Sequence, residues 1–403
     1  MNINKIDYDD IIKYLNNSAL YHMSLSAMEL FHSNFWRWLM EYNIKYVEIF
    51  FDELTNINHK DVSIKREFNH TDISIEANGK LFIVENKFKS LVNKEQLERY
   101  ENDLIDKFSK GKYLFPIWMQ KYKDLFSGTN NTNWEFLDYE TIMNNIERIS
   151  NEIFNDSQKV TDTNYKIIEE YLKMTRNLIK LFYYVINTHF KEKLIVNDKN
   201  IFENLQTIRL HDIMSKINSE LLKDKLYERL KKEFPNSYCK IVIKSDYNNG
   251  AYLQARWKVP YDNNDPSKGY FLIGPHLQDS NFDTMIHMCV DHLGLKGLKQ
   301  LKKKDEKKMR NIIDKIYAAV EPIIFKKDTY DKCSKNKFYN EFKGIEDEFE
   351  YLSIYRHKKI YDQKKHIDTT SFDELCDEFV RILKLFENIN KDDLIDKIKK
   401  SVE

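Results

Sequence analysis

Glycine, proline and cysteine are scarce: the 403 residues include 9 Gly, 6 Pro and 4 Cys. So few turn-formers exclude collagenous and linker-like chains and point to a mostly helical protein. The shortage of glycine removes whole motif classes: no GxGxxG, GxxxxGK or GxSxG occurs, and HExxH is also missing. Cys239, Cys289, Cys333 and Cys376 form no C-x-x-C pair, a spacing expected of reduced thiols in a cytoplasmic protein. No apolar run approaches the ~20 residues that span a bilayer. The strongest, LIKLFYYVI, is broken by Lys180, and the opening MNINKIDYDD lacks the apolar centre of a secretory signal. A soluble, cytoplasmic protein with no membrane partner is expected. Net charge is the last absence. The 64 Lys+Arg balance 64 Asp+Glu, which argues against a global positive field that coats nucleic acid.

Hydrophobic residues make up 42% and charged residues 32%, the balance of a globular protein. The length favours two domains. Apolar spacing predicts helices over 25–40, 93–109, 140–156 and 163–190, and strands over 61–68, 72–77, 81–87, 113–118 and 134–138. The polar VNDKN stretch marks a boundary, giving expected domains of 1–195 and 196–403. In the second, helices are expected across 201–233, then strands at 239–246, 251–259 and 269–275 separated by Asn/Asp/Gly turns. Helical patterns then dominate to the end. This reading gives an α/β first domain and a helix-rich α+β second domain.

The chemistry concentrates in one predicted hairpin. Asn78-Gly79 is the strongest two-residue hairpin signal. If these two form the loop, Ala77 pairs with Lys80, Ile75 with Phe82, Ile73 with Val84, and Asp72 faces Glu85. Opposed carboxylates repel on a sheet face, and a divalent cation between them removes the conflict. Lys87 lies two residues beyond Glu85 and so emerges on the same face. An ammonium there can orient an attacking water and stabilise charge on a phosphate, which makes metal-assisted phosphodiester hydrolysis the natural reaction.

Asp72 followed by Glu85-Asn86-Lys87 resembles the PD-(D/E)XK nuclease superfamily. The run Gln96-Leu97-Glu98-Arg99-Tyr100 is similar to the Q-h-x-x-Y helix motif of its RecB-like, restriction-endonuclease-like branches. Glu29 in ELFHSNFWRWL resembles the helix glutamate of many members, and that run with His32-Ser33, like WEFLDYETI from Trp134, is similar to a branch of uncharacterised or restriction-type bacterial nucleases. The likeness covers about residues 20–190. One departure is Thr71, where a proline would precede the first aspartate. The resemblance implies a mixed central sheet flanked by helices and a Mg²⁺-dependent deoxyribonuclease, with Mn²⁺ as a substitute ion. It implies that Asp72, Glu85 and the Asn86 backbone carbonyl hold the metal and that Glu29 completes its shell. Lys87 would position the attacking water, while Gln96 and Tyr100 line the site.

Each residue also has an ordinary reading. Ser26 and Glu29 are spaced as a capping box. Asp72 and Lys87 could be strand ends, Gln96 and Tyr100 helix-surface residues, and His32 and His70 packed histidines. The activity expected is an endonuclease in restriction or phage defence. The alternatives are a RecB-like repair exonuclease and an inactive nucleic-acid-binding or scaffold protein. DNA is the expected substrate with RNA left open, and homo-oligomerisation or accessory defence proteins stay undetermined.

The second half has a different charge. Residues 1–190 sum to −5 and the remainder to +5, with the excess concentrated at 296–310. On a helix Lys299, Lys303 and Lys307 share a face that could track a phosphate backbone, although a solvated face explains them equally. His287, Cys289 and His292 in HMCVDH lack a second ligand pair at zinc spacing and read as helix residues. Gly294 to Gly297 forms a lone GxxG, which a helix cap explains as well.

Overall fold

The computed structural model describes residues 5–24, 28–55, 57–88, 94–103, 107–117, 133–189, 192–195, 198–246, 252–260, 270–278, 281–289, 340–346, 349–359 and 371–387, with isolated positions near 307–315 and 390–400. The chain divides into two compact units. One is Met1–His189 with Glu203–Met214, the other Phe190–Phe202 with Ser215–Glu403.

The first unit begins with helices α1 (Lys5–Asn17), α2 (Ala19–Ser24) and α3 (Met28–Tyr42). Strands β1 (Val62–Arg66), β2 (Ile73–Ala77) and β3 (Lys80–Asn86) follow, then helix α4 (Lys94–Asp103) and strands β4 (Phe108–Phe115) and β5 (Trp134–Asp138). Helices α5 (Tyr139–Ile153), α6 (Asp156–Thr161) and α7 (Thr163–Tyr184) complete it, with a π turn at Val185–His189. The sheet order is β1-β2-β3-β4-β5. The first three strands are antiparallel, while β3, β4 and β5 run parallel, so the sheet is mixed with β3 at its centre.

The β2–β3 hairpin has the predicted register, from Ala77 opposite Lys80 to Ile73 opposite Val84. Asn78 and Gly79 have φ of 52° and 73°, the left-handed pair that a tight primed turn requires. From Leu81 onward every residue of β3 is buried. Leu81, Phe82, Ile83 and Val84 each contribute roughly 1.5–3 kcal/mol by burial, which offsets the cost of burying the polar Glu85 and Asn86 that follow. Strand β4 starts five residues earlier than expected, at Phe108. A Cβ at its Gly111 would lie 2.3 Å from the Trp134 ring. The absent side chain is what lets that indole lie across the β4–β5 pair.

Helix α5 is capped by Asp138, whose side chain accepts from the Thr141 N–H at 2.7 Å. Its buried stripe of Tyr139, Ile142, Met143, Ile146 and Ile149 follows the helical period. Helix α7 is capped by Asp162 and buries Tyr171, Thr175, Leu178 and Phe182.

The second unit contains the start of α8 (Lys199–Thr207 in full) and most of α9 (His211–Glu233), then strands β6 (Ile241–Asp246), β7 (Tyr252–Pro260), β8 (Tyr270–Gln278), β9 (Asn281–Cys289), β10 (Asn340–Glu346) and β11 (Phe349–Lys359), and helix α10 (Phe372–Glu387). The strands form one antiparallel sheet in the order β10-β11-β9-β8-β7-β6. Three of the six, β9 to β11, lie where helix was expected, so His287 and Cys289 are strand residues. Helix α10 packs on the sheet: the Trp257 indole donates to the Leu383 carbonyl at 2.8 Å, and Phe282 meets Phe379 edge to face. Alternate residues of β7 and β8 bury Gln254, Arg256 and His276.

Candidate active site

The site forms where the buried end of β3 meets the start of β2. Asp72 sits one residue before β2, and its Oδ2 accepts from the Asn86 backbone N–H at 2.6 Å. Glu85 is 2% exposed. Its Oε1 takes two partners, the Lys87 ammonium at 2.6 Å and the Gln96 side-chain amide at 2.8 Å. Its Oε2 is buried with no hydrogen-bond partner among the described residues.

Helix α4 supplies the other wall. Gln96 Nε2 also reaches the Tyr100 hydroxyl at 2.5 Å, and that hydroxyl donates to the His70 carbonyl at 2.6 Å. Tyr100 is buried at the ring and joins the turn before Asp72 to the helix that steadies Glu85. That turn carries two left-handed residues, Glu67 at φ 54° and His70 at φ 65°. Such conformations cost of order 1–3 kcal/mol each and persist only when the surroundings hold them.

The electrostatics follow from this crowding. Burial and the neighbouring Glu85 charge push the Asp72 carboxyl up to about 7. Burial likewise raises Glu85, against the opposing pull of Lys87. For Lys87, burial favours the neutral amine, yet Glu85, Asp72 and Glu29 outweigh it and hold the ammonium charged. Glu29, half-buried in the first turn of α3, acts on all three groups. Three carboxylates against one ammonium leave two negative charges when all are ionised, the charge that one divalent cation balances. The unpartnered Oε2 of Glu85, whose charge acts on Asp72, is the feature that fits such an ion. Among the described residues, no group of three His, Cys, Asp or Glu side chains is close enough to form a ready-made ligand cluster.

Residues 18–173 match the family model of the PD-(D/E)XK nuclease superfamily. This region belongs to that superfamily. The mixed five-stranded sheet flanked by helices is the restriction-endonuclease-like α/β fold, and a nuclease-type hydrolase is the activity the superfamily implies. No curated protein and no solved structure matches the chain. In this PD-(D/E)XK region Thr71 replaces the proline before Asp72, and its backbone N–H and hydroxyl both bond the Phe68 carbonyl, closing the turn without the ring.

The structure brings Asp72, Glu85, Asn86, Lys87, Gln96 and Tyr100 together, with Glu29 acting electrostatically on Asp72, Glu85 and Lys87. Ser26 lies outside the described residues, and the capping-box reading of Glu29 lies outside them with it. Lys299, Lys303 and the GxxG stretch also fall outside them, while Lys307 is an exposed helical residue. The side chain of His70 is exposed, whereas His32 is wholly buried among Trp36, Phe88, Tyr139 and Tyr171. Sequence reasoning missed Ser33 and Tyr139, which bond the Asn86 side chain. The signal was present for Tyr139, inside the WEFLDYETI stretch, but nothing local identified its partner. Among the described residues no helix is long and apolar enough to cross a membrane.

Proposed function

We propose that the first unit is a Mg²⁺-dependent endonuclease that hydrolyses DNA phosphodiester bonds, and that it serves restriction or phage defence. The observation that carries the reading is the divided Glu85 carboxylate: Lys87 and Gln96 occupy one oxygen, and the other is buried and unpaired. Asp72, Glu85 and the Asn86 carbonyl would hold the cation, and Glu29 would complete its shell through water. When bound, the cation polarises the phosphate and makes water more acidic. Gln96 fixes the plane of the Glu85 carboxylate. Lys87 orients the attacking water and stabilises the charge that grows on the phosphate. The site accepts Mn²⁺ in place of Mg²⁺.

The second unit binds DNA or regulates the first, and the lysine-rich 296–310 segment supplies phosphate contacts. The role in defence rests on the family resemblance. A second reading, a RecB-like exonuclease, is favoured by the Gln96–Tyr100 pair, whose i, i+4 spacing places both side chains against Glu85 and the Asp72 turn.

The test is incubation of the purified chain with linear DNA, closed circular DNA and RNA, with Mg²⁺, Mn²⁺ or EDTA. Metal-dependent cleavage of closed circles supports the endonuclease reading. Cleavage confined to linear DNA transfers it to the exonuclease. Salt-sensitive binding with no cleavage of any substrate overturns both and leaves a binding module.

A further inference from the structure

Asn86 stands between the two motif residues Glu85 and Lys87, and strand alternation sends its side chain to the opposite face of the sheet. That side chain is fully buried. Its Nδ2 donates to the Glu29 carbonyl at 3.0 Å and to Ser33 Oγ at 3.3 Å. Ser33 Oγ donates in turn to the same Glu29 carbonyl at 2.9 Å. On the other side, the Tyr139 hydroxyl donates to Asn86 Oδ1 at 2.6 Å. Because a backbone carbonyl can only accept, the amide nitrogen must face Glu29, and the orientation of the group is settled by its partners. Three of its four hydrogen-bonding positions are used, by partners on two helices, α3 and α5.

The backbone of Asn86 has a second task, since its N–H fastens the Asp72 carboxylate. One residue therefore ties β2 through its main chain and α3 through its side chain. We propose that the Asn86 side chain, braced by Tyr139, is a positioning residue that sets Glu29 against the Asp72–Glu85 pair. A leucine or valine there would fill the same space but leave the Glu29 carbonyl and the Tyr139 hydroxyl without this partner. A buried hydroxyl left without a partner is destabilising. The polar residue is kept because it fixes the rotation and depth of the α3 first turn. Asn86 touches no reacting atom through its side chain and acts through Glu29.

This inference rests on the nuclease reading for its link to catalysis, so its test has two arms. Asn86→Ala keeps the backbone donor to Asp72 and removes only the clasp. It is expected to lower kcat by ~10–100-fold, the usual scale for groups that orient metal ligands, with KM for DNA changed less than about threefold. In a Glu29→Gln background the same substitution should cost less than about threefold, because the residue it positions has been disabled. Equal cost in both backgrounds would overturn the proposal. Tyr139→Phe keeps the ring in the core and should give a smaller loss with the same non-additivity, which covers the case in which Asn86→Ala fails to fold.

The second arm is hydrogen exchange of the metal-free protein. The Ser33 amide and the following turn of α3 should exchange at least about tenfold faster in Asn86→Ala than in wild type, while the β4 amides stay unchanged. Unchanged exchange in α3 would sink the clasp whether or not the protein cleaves DNA. If wild type cleaves nothing but α3 loosens as described, the activity reading fails and the structural role of Asn86 stands.

Discussion

The Asn86 amide N–H donates to the Asp72 carboxylate across 2.6 Å, so the first acid of the site is fastened to the strand that carries the second. Fastening alone does not relieve the repulsion between Asp72 and Glu85. Both carboxyls are pushed upward by burial and Asp72 also by Glu85, so the metal-free fold carries an electrostatic cost that a bound cation would remove.

Replacing Asp72 by Asn exposes that cost. The folded Asp72 titrates near 7 against an ordinary value of 3.8, so the folded state holds its proton longer than the unfolded one. Stability from this group is therefore full at low pH and is lost as pH rises through about 7. Asp72→Asn should raise Tm in EDTA by about 2–6 °C at a pH near 8 and by less near pH 5. The same variant should lose cleavage by ~100-fold or more. Calorimetry at the two pH values checks the sign, and an unchanged Tm would count against the repulsion.

Tyr100 acts on the turn rather than on the substrate. Its hydroxyl holds the His70 carbonyl, and His70 sits in a left-handed conformation two residues before Asp72. Tyr100→Phe should cost about 1 kcal/mol of stability in urea titration and about tenfold in kcat, with KM for DNA little changed. A rise in KM at constant kcat would instead make Tyr100 a substrate-binding group.

The hairpin and the gathering of its polar residues were legible because every step was local. Asn78-Gly79 defines a two-residue turn, the turn fixes the register, and the register runs to Ile73 opposite Val84, the neighbours of Asp72 and Glu85. What depends on distant pairing was not legible. Strand β11 pairs with β9 across some seventy residues of chain, and its sequence FEYLSIYRHKK mixes charged and apolar residues without a clean period. The Asn86 clasp joins residues 29, 33, 86 and 139, so no window of sequence contains it. Its one trace was a polar residue at the end of an otherwise apolar strand.

His32 gives the acid side of the stability profile. It is wholly buried, its Nδ1 bonds the Tyr171 hydroxyl at 2.7 Å, and burial holds its pKa down to about 3. The unfolded chain takes up this proton near 6.5, well before the folded one does. The contribution is thus full above about 6.5 and is lost as pH falls toward 3, by as much as about 5 kcal/mol. In His32→Phe the urea midpoint should fall less between pH 8 and pH 5 than it does in wild type. The absolute midpoint will also drop, because Tyr171 loses its partner, so the difference between pH values is the quantity to compare. An identical pH slope in the two proteins would remove His32 from the account.

Binding of Mn²⁺, followed by electron paramagnetic resonance, tests the divided Glu85 carboxylate most directly. The wild-type chain should take up Mn²⁺ in a tight site that Mg²⁺ displaces. Glu85→Gln keeps the bulk of the side chain and should lose that site. Equal Mn²⁺ binding by wild type and Glu85→Gln would contradict the claim that Glu85 and Asp72 form the metal centre.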